Sequence, residues 1–284
     1  MENPSRRVWL ITGCSTGFGF ELCKLVLAQN DLLVATSRNL DPLNDLRPNF
    51  DGQLLTLQLD VTDASNVKRV VAAAVQEFGR IDVLVNNAGY GLAGTLEEAT
   101  DEELREQFET NLFGTLAVTR AVLPAMRQQR SGRILVISSI AGLVSNLGLC
   151  LYNGSKYALE GVFEGLAQDV GPLGIKVTII EPGPFRTKFA GSSLRQTAPM
   201  PEYAETAGRI RHYFDKIDGT QEGDPVRAAQ IMLDLVKMDQ PPLRLLLGKV
   251  AISRLREKYN RVLKDAESWQ AVTLSADFPE AGPN

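Results

Sequence analysis

The chain has 284 residues, 44% of them hydrophobic and 23% charged, fractions that suit an ordinary globular protein and not a disordered one. Thirty Lys and Arg against 34 Asp and Glu leave a net charge of −4, without the basic excess of a nucleic-acid-binding domain. Three cysteines and one histidine, with no CxxC pair, speak against a disulfide framework and against a metal site.

The amino end runs from Met1 to Arg7 into Val8-Trp9-Leu10-Ile11 and then Thr12-Gly13, an apolar stretch too short for a secretion signal. No apolar run approaches the ~18 residues that a membrane-spanning helix needs. A cytoplasmic protein without a transmembrane segment is therefore expected. Aliphatic runs at 8–12, 32–36, 54–59, 81–85, 133–137, 175–180 and 243–247 predict seven strands. Their unbroken apolarity suits strands covered on both faces, as in parallel sheets. Helical spacing lies between them: Val67, Val70, Val71, Ala74, Val75 and Phe78 share one face, with Thr62 or Asp63 as cap and Gly79 as stop. Strand and helix alternate without a linker or a repeat, which predicts an α/β fold, one doubly wound domain over 1–284 with a predominantly parallel sheet. The stretch 185–222 breaks this rhythm with Gly191-Ser192-Ser193, Pro199 and Pro201 before a helical segment near 203–214. Long excursions of this kind are commonly lids, and a substrate-binding lid is expected here.

The first strand runs into Gly13-Cys14-Ser15-Thr16-Gly17-Phe18-Gly19, and a helix with Leu22, Leu25 and Val26 on one face follows. Glycines let the backbone turn tightly and approach a pyrophosphate, whose charge then sits at a helix N-terminus. The spacing is GxxxGxG and not GxGxxG, so the turn alone is weak evidence. Further motifs follow in order. Asn86-Asn87-Ala88-Gly89 ends the fourth strand, Ser138-Ser139 ends the fifth, Tyr152-Asn153-Gly154-Ser155-Lys156 opens the next helix, and Pro182-Gly183 follows the sixth strand. With these motifs in this order the chain resembles the classical short-chain dehydrogenase/reductase family, closely over 8–187 and loosely beyond. Its glycine turn is most similar to NADP-preferring members that act on steroid, retinoid or other lipophilic carbonyls. The resemblance implies a Rossmann-type domain that transfers a hydride between a nicotinamide and a carbonyl/secondary alcohol pair.

Tyr152 and Lys156 lie one helical turn apart on one face. A free phenol, with a pKa near ~10, is a poor base at neutral pH; a fixed ammonium beside it is expected to lower that value and make Tyr152 the acid/base. The resemblance implies that Lys156 also holds the nicotinamide ribose, that Ser139 bonds the reacting oxygen, and that Asn111 supports a water-mediated proton relay to the lysine. Tyr157 has Gly161 and not lysine four positions on, and Ser138 is one residue out of the family spacing. His212, Cys14 and Cys150 stand in no catalytic motif and are expected to be solvated or packing residues.

Ser37, followed by Arg38, stands near the end of the second strand where an NAD-selective site usually has an acid. An arginine there can bind a 2′-phosphate bidentately, so NADP(H) is expected, with NAD(H) less favoured. The remaining expected cofactor contacts are Gly13, Ser15, Thr16, Gly17, Phe18 and Gly19 in the turn, Asp60 and Val61 at the adenine, and Asn87, Ala88 and Gly89. Pro182, Gly183, Phe185 and Thr187 complete the set by family analogy, with Tyr152 and Lys156. Leu143, Val144, Leu147, Leu149 and Phe189 either wall a hydrophobic substrate pocket or belong to the core. Beyond residue 250, Ile252, Leu255, Tyr259, Val262 and Leu263 share one face of a basic amphipathic helix. It is expected to close against the domain, membrane-surface contact being the other reading. Family analogy adds a homo-oligomer joined through the helices after the fourth and fifth strands. A protein that senses NADP(H) without turning it over is the alternative function, disfavoured because Asn111, Ser139, Tyr152 and Lys156 are all present.

Overall fold

The alternation of apolar runs is realised as a seven-stranded sheet in the order β3-β2-β1-β4-β6-β7-β9, every neighbouring pair parallel. The computed structural model describes residues 6–46, 50 and 52–278; Met1 to Ser5, part of the amino end read above, lie outside the described residues. The strands are β1 (Val8–Ile11), β2 (Leu32–Ser37), β3 (Leu54–Gln58), β4 (Val83–Asn86), β6 (Gly132–Ile137), β7 (Ile175–Pro182) and β9 (Arg244–Leu247). The helices are α1 (Gly17–Ala28), α2 (Ala64–Phe78), α3 (Asp101–Phe108), α4 (Thr115–Gln129), α5 (Cys150–Val170), α6 (Arg209–Ile217), α7 (Pro225–Leu235), α8 (Lys249–Ser268) and α9 (Gln270–Leu274).

Period-two alternation divides each strand between two cores. Trp9 and Ile11 pack with Leu22, Val26, Ala228 and Met232 beneath α1 and α7. Leu10 faces the other way, into a core with Val70, Val118, Val122, Leu159 and Phe163 from α2, α4 and α5. The strand order reverses between β1 and β4, and at such a switch point the carboxyl ends of the strands open a crevice. The expected single α/β domain with seven parallel strands is therefore what forms.

Local details sharpen the reading. Asp63 and not Thr62 caps α2, its Oδ1 accepting from the Ser65 and Asn66 N–H groups at 2.8 and 3.0 Å, and Gly79 ends the helix at φ 76°. β4 starts at Val83, and just before it Asp82 accepts from the Val8 N–H through its side chain, at 2.9 Å. Two strands escaped the sequence reading: β5 (Gly91–Ala93) and β8 (Leu194–Gln196) pair in a small parallel ribbon that ties the 185–222 stretch to the domain. Three residues are too few to show a period.

Helix α8 departs from expectation in part. Ala251 is buried and Leu255 packs on Ile140 and Val144, so the first turns of α8 close against the domain. Further along, the apolar stripe has no partner among the described residues: Tyr259 and Leu263 are 52% and 59% exposed.

Candidate active site

Conformation and crowding explain the glycine turn. Gly13 (φ 69°) and Gly17 (φ 58°) sit in the left-handed region, where a side chain is strained. A Cβ on Gly19 would lie 2.5 Å from Asn87 Nδ2 and 2.6 Å from the Gly13 carbonyl oxygen. The Asn87 carboxamide donates to the Thr12 and Gly13 carbonyls, both at 2.9 Å, and Thr12 Oγ1 accepts from the Asn87 and Ala88 N–H groups, both at 3.0 Å. Asn-Asn-Ala-Gly thus braces the turn at the end of β4. Thr16 precedes α1 with no side-chain cap, and the first turn carries no acid. Its N–H groups are left to an anion.

One cavity of about 350 Å3 runs along the carboxyl ends of the strands. Ser15, Thr16, Gly17, Phe18, Arg38, Asp60 and Val61 line it toward the turn; Ala88, Gly89, Ser139, Tyr152 and Lys156 line its middle. Gly13, Asn87, Pro182, Gly183, Phe185 and Thr187 also line it. Gly19 does not, since it lies behind the turn against Asn87. The Phe185 ring meets Phe18 edge-on at 5.2 Å. A crowded glycine cradle, an uncapped helix N-terminus and polar groups at the far end together fit a dinucleotide. Arg38 is exposed, and none of the ion pairs formed among the described residues includes its guanidinium. Asp60 Oδ1 accepts from Thr62 N–H and O–H at 3.0 and 2.7 Å.

Ser139 follows β6 by two residues, accepts from the Ala141 N–H at 3.0 Å and stands beside Tyr152. Tyr152 is buried in the first turn of α5, its ring 5.3 Å from that of Phe189. Burial pushes its phenol up to about 12, against a downward pull from the Ser139 hydrogen bond. The expected lowering by Lys156 is not what the structure gives. Lys156 Nζ donates to the Ile137 carbonyl at 2.8 Å and lies 5.8 Å from the phenol ring centre. Burial brings its own ammonium down to about 8, with Glu160 one turn on opposing that shift.

Asn111 stands outside the cavity, in a widened π-helical turn (Glu109–Gly114) between α3 and α4. Its Oδ1 accepts from the Tyr90 N–H at 3.0 Å, and its Nδ2 donates to the Tyr90 carbonyl at 2.9 Å and to Ser155 Oγ at 3.1 Å. Gly89 separates it from the lysine: a Cβ there would be 3.1 Å from Asn111 Oδ1 and 3.8 Å from Lys156 Nζ.

Leu149 and Phe189 line the cavity, together with Ile210, Phe214 and Ile217 from α6. Leu143 and Val144 instead pack under α8, and Leu147 is exposed. Tyr157 donates its hydroxyl to the Leu143 carbonyl at 2.6 Å, while His212 is exposed and Cys14 buried. Cys150 is exposed and outside the cavity. Sequence reasoning missed an acid cluster below the catalytic helix, where Arg244 Nε lies 3.2 Å from Glu160 and 3.3 Å from Glu181. The one available signal was Glu160 four residues after Lys156. No group of three metal-ligating side chains forms among the described residues.

A glycine turn on a parallel sheet, with Ser, Tyr and Lys meeting at one cavity, defines a nucleotide-linked oxidoreductase of the short-chain type. The family model for short chain dehydrogenases matches residues 7–198, and the chain belongs to that family. It is 35% identical to the oxidoreductase BOA17 of Botryotinia fuckeliana, over 95% of this chain and 99% of that one. The structure of a short-chain dehydrogenase from Streptomyces avermitilis superposes with a TM-score of 0.92 at 39% identity, covering 96% of this chain and all of that one. ElxO with NADP bound is similar at 27% identity and a TM-score of 0.72, over 87% and 99% of the two chains. An enzyme from Burkholderia phymatum in complex with NAD shares the fold, with a TM-score of 0.82 at 20% identity over 93% and 97%. Family neighbours thus hold either nucleotide. No helix among the described residues is long and apolar enough to cross a membrane.

Proposed function

We propose that the protein is an NADP(H)-dependent oxidoreductase acting on a hydrophobic carbonyl/secondary alcohol pair, with Tyr152 as its acid/base. The observation that carries this reading is the single cavity joining the glycine turn to Ser139, Tyr152 and Lys156. When bound, the nicotinamide supplies or accepts the hydride. A phenol held near 12 is neutral at pH 7, the form that can give its proton to a carbonyl oxygen in reduction. Ser139 holds that oxygen, and Lys156 holds the ribose. Asn111 keeps the Tyr90 and Ser155 groups behind Gly89 in place and is the candidate support for a relay water. Ser37 and Arg38, facing no acid, favour the 2′-phosphate of NADP(H). The remaining cofactor contacts are those at the turn, at Asp60-Val61, at Asn87 to Gly89 and from Pro182 to Thr187. The stretch 185–222 is the substrate lid of one catalytic domain spanning 1–284. Three free cysteines suit a cytoplasmic setting, and assembly through α4 and α5 into a homo-oligomer completes the reading.

A panel of apolar ketones and aldehydes, assayed with NADPH, tests it. Tyr152→Phe keeps the ring and removes the proton, so turnover should fall at least ~100-fold while NADPH still binds. Near-parental turnover by the variant would overturn the assignment. In paired fluorescence titrations NADPH should bind the parent at least ~10-fold more tightly than NADH, and Arg38→Asp should reverse the order. Equal affinities in the parent would remove the NADP preference alone.

A further inference from the structure

We propose that the substrate carries a carboxylate as well as its carbonyl or alcohol, and that Arg254 of α8 binds it; this rests on the oxidoreductase reading above. The first support is the charge around the cavity. Asp60 is the sole carboxylate among the residues lining it and belongs to the turn end, through its bonds to Thr62. The lining elsewhere includes Leu149, Phe189, Ile210, Phe214 and Ile217, together with the cations of the exposed Lys188 and the half-buried Arg254.

The second support is what Arg254 lacks. Two other shielded arginines meet carboxylates, Arg211 pairing with Glu98 at 2.9 Å and Arg244 with Glu160, Glu164 and Glu181 at 2.9–3.3 Å, while the half-buried Arg133, away from the cavity, spends its donors on the Gly132 and Met238 carbonyls. Arg254 forms no ion pair with any described residue, and Nη1 donates to the neutral Asn146 Oδ1. A guanidinium carries five N–H donors in a planar fork. One bond to a carboxamide leaves most of that fork, and all of its charge, unanswered beside an apolar wall.

The third support is positioning. Ala251 is fully buried, its backbone nitrogen 3.4 Å from where a Cβ on Gly183 would stand. Leu255 packs on Ile140, next to Ser139 in the chain. Asn146 is held in turn by Asn153, which donates to its carbonyl at 2.9 Å and is the residue after Tyr152. The guanidinium is thus tied to the catalytic helix through Asn146 and Asn153. A charge-assisted fork is about twice as strong as neutral hydrogen bonds, and low-dielectric walls strengthen it further. The substrate class that fits is an oxo or hydroxy acid with an aliphatic body between its two polar ends.

Binding of decanoate, decanol and methyl decanoate to the NADPH complex, read by nucleotide fluorescence, tests this without turnover. Decanoate has no reducible carbonyl, so the result does not depend on the role of Tyr152. The parent should bind decanoate at least ~10-fold more tightly than either neutral ligand, and Arg254→Met should abolish that margin while NADPH still binds. Arg254→Lys, which keeps the charge and loses the fork, should restore part of it. The proposal is overturned if decanoate does not saturate the parent, if the neutral ligands bind as tightly, or if Arg254→Met leaves the margin intact. A parent that shows the full Arg254-dependent margin but reduces no oxo acid with NADPH would support the site and overturn the oxidoreductase reading instead.

Discussion

Two buried acid–arginine clusters, one in the turn before α3 and one beneath α5, have carboxyls shifted in opposite directions. In the turn before α3, Glu98 is fully buried and receives the Arg211 fork at 2.9 and 3.1 Å, the Thr95 N–H at 2.8 Å and the Met200 N–H at 3.0 Å. Burial pushes its carboxyl up, but these donors outweigh it and hold the group at about 2. Beneath α5, Glu160 and Glu181 are as deeply buried and share one Arg244, whose other arm goes to the exposed Glu164 at 2.9 Å. There burial, and then the charge of Glu160, push Glu181 up to about 8, and Glu160 is itself raised, first by burial. Burial is common to both clusters, so the number of donors per carboxylate and the presence of a second acid decide the sign.

The clusters also differ in what they hold. The first fastens the 185–222 stretch, through Thr197, Met200 and Arg211, to the turn at Thr95 and Glu98. The second supports the helix that carries Tyr152 and Lys156. Removing the arginine of the first cluster is the most severe way to break the comparison. Arg211→Leu leaves Glu98 buried and unpaired, and should cost about 3–5 kcal/mol in urea unfolding. Hydrogen exchange should quicken across 194–217. A loss below about 1 kcal/mol would mean that the two backbone donors suffice for Glu98.

Acid titration probes the same pair more gently. Because the folded Glu98 lies below its ordinary value of 4.5, its contribution is complete above that pH and is lost as pH falls toward 2. Urea midpoints of the parent should drop over this window, and those of Glu98→Gln should drop less. Parallel acid limbs would sink the assignment.

The smallest effect is expected from Glu181→Gln. A group raised to about 8 contributes stability fully below 4.5 and loses it as pH rises through 8. The parent should therefore weaken as pH rises from about 4.5 to about 8, and the glutamine variant, always neutral, should weaken less over that window. A pH-independent difference would show that Glu181 does not titrate in that range.

Much of the site was legible because its determinants are local. Gly13 and Gly17 announce a backbone that other residues resist, Asp63 caps the helix that begins after it, and Tyr152 and Lys156 share a face by helical arithmetic alone. Seven aliphatic runs sufficed for the sheet, since a strand buried on both faces is apolar throughout. What required the tertiary structure spans long stretches of chain. Arg211 and Glu98 are 113 residues apart, Arg254 and Asn146 are 108, and Arg244 and Glu160 are 84. No period or spacing links such partners, because their meeting depends on how crossovers stack on the sheet. The same holds for the three-residue ribbon of β5 and β8, for Asn111 behind Gly89, and for the point at which α8 leaves the domain. The phenol illustrates the division best. Its place one turn before Lys156 follows from the sequence, but the direction of its shift was set by burial, which outweighs the Ser139 hydrogen bond.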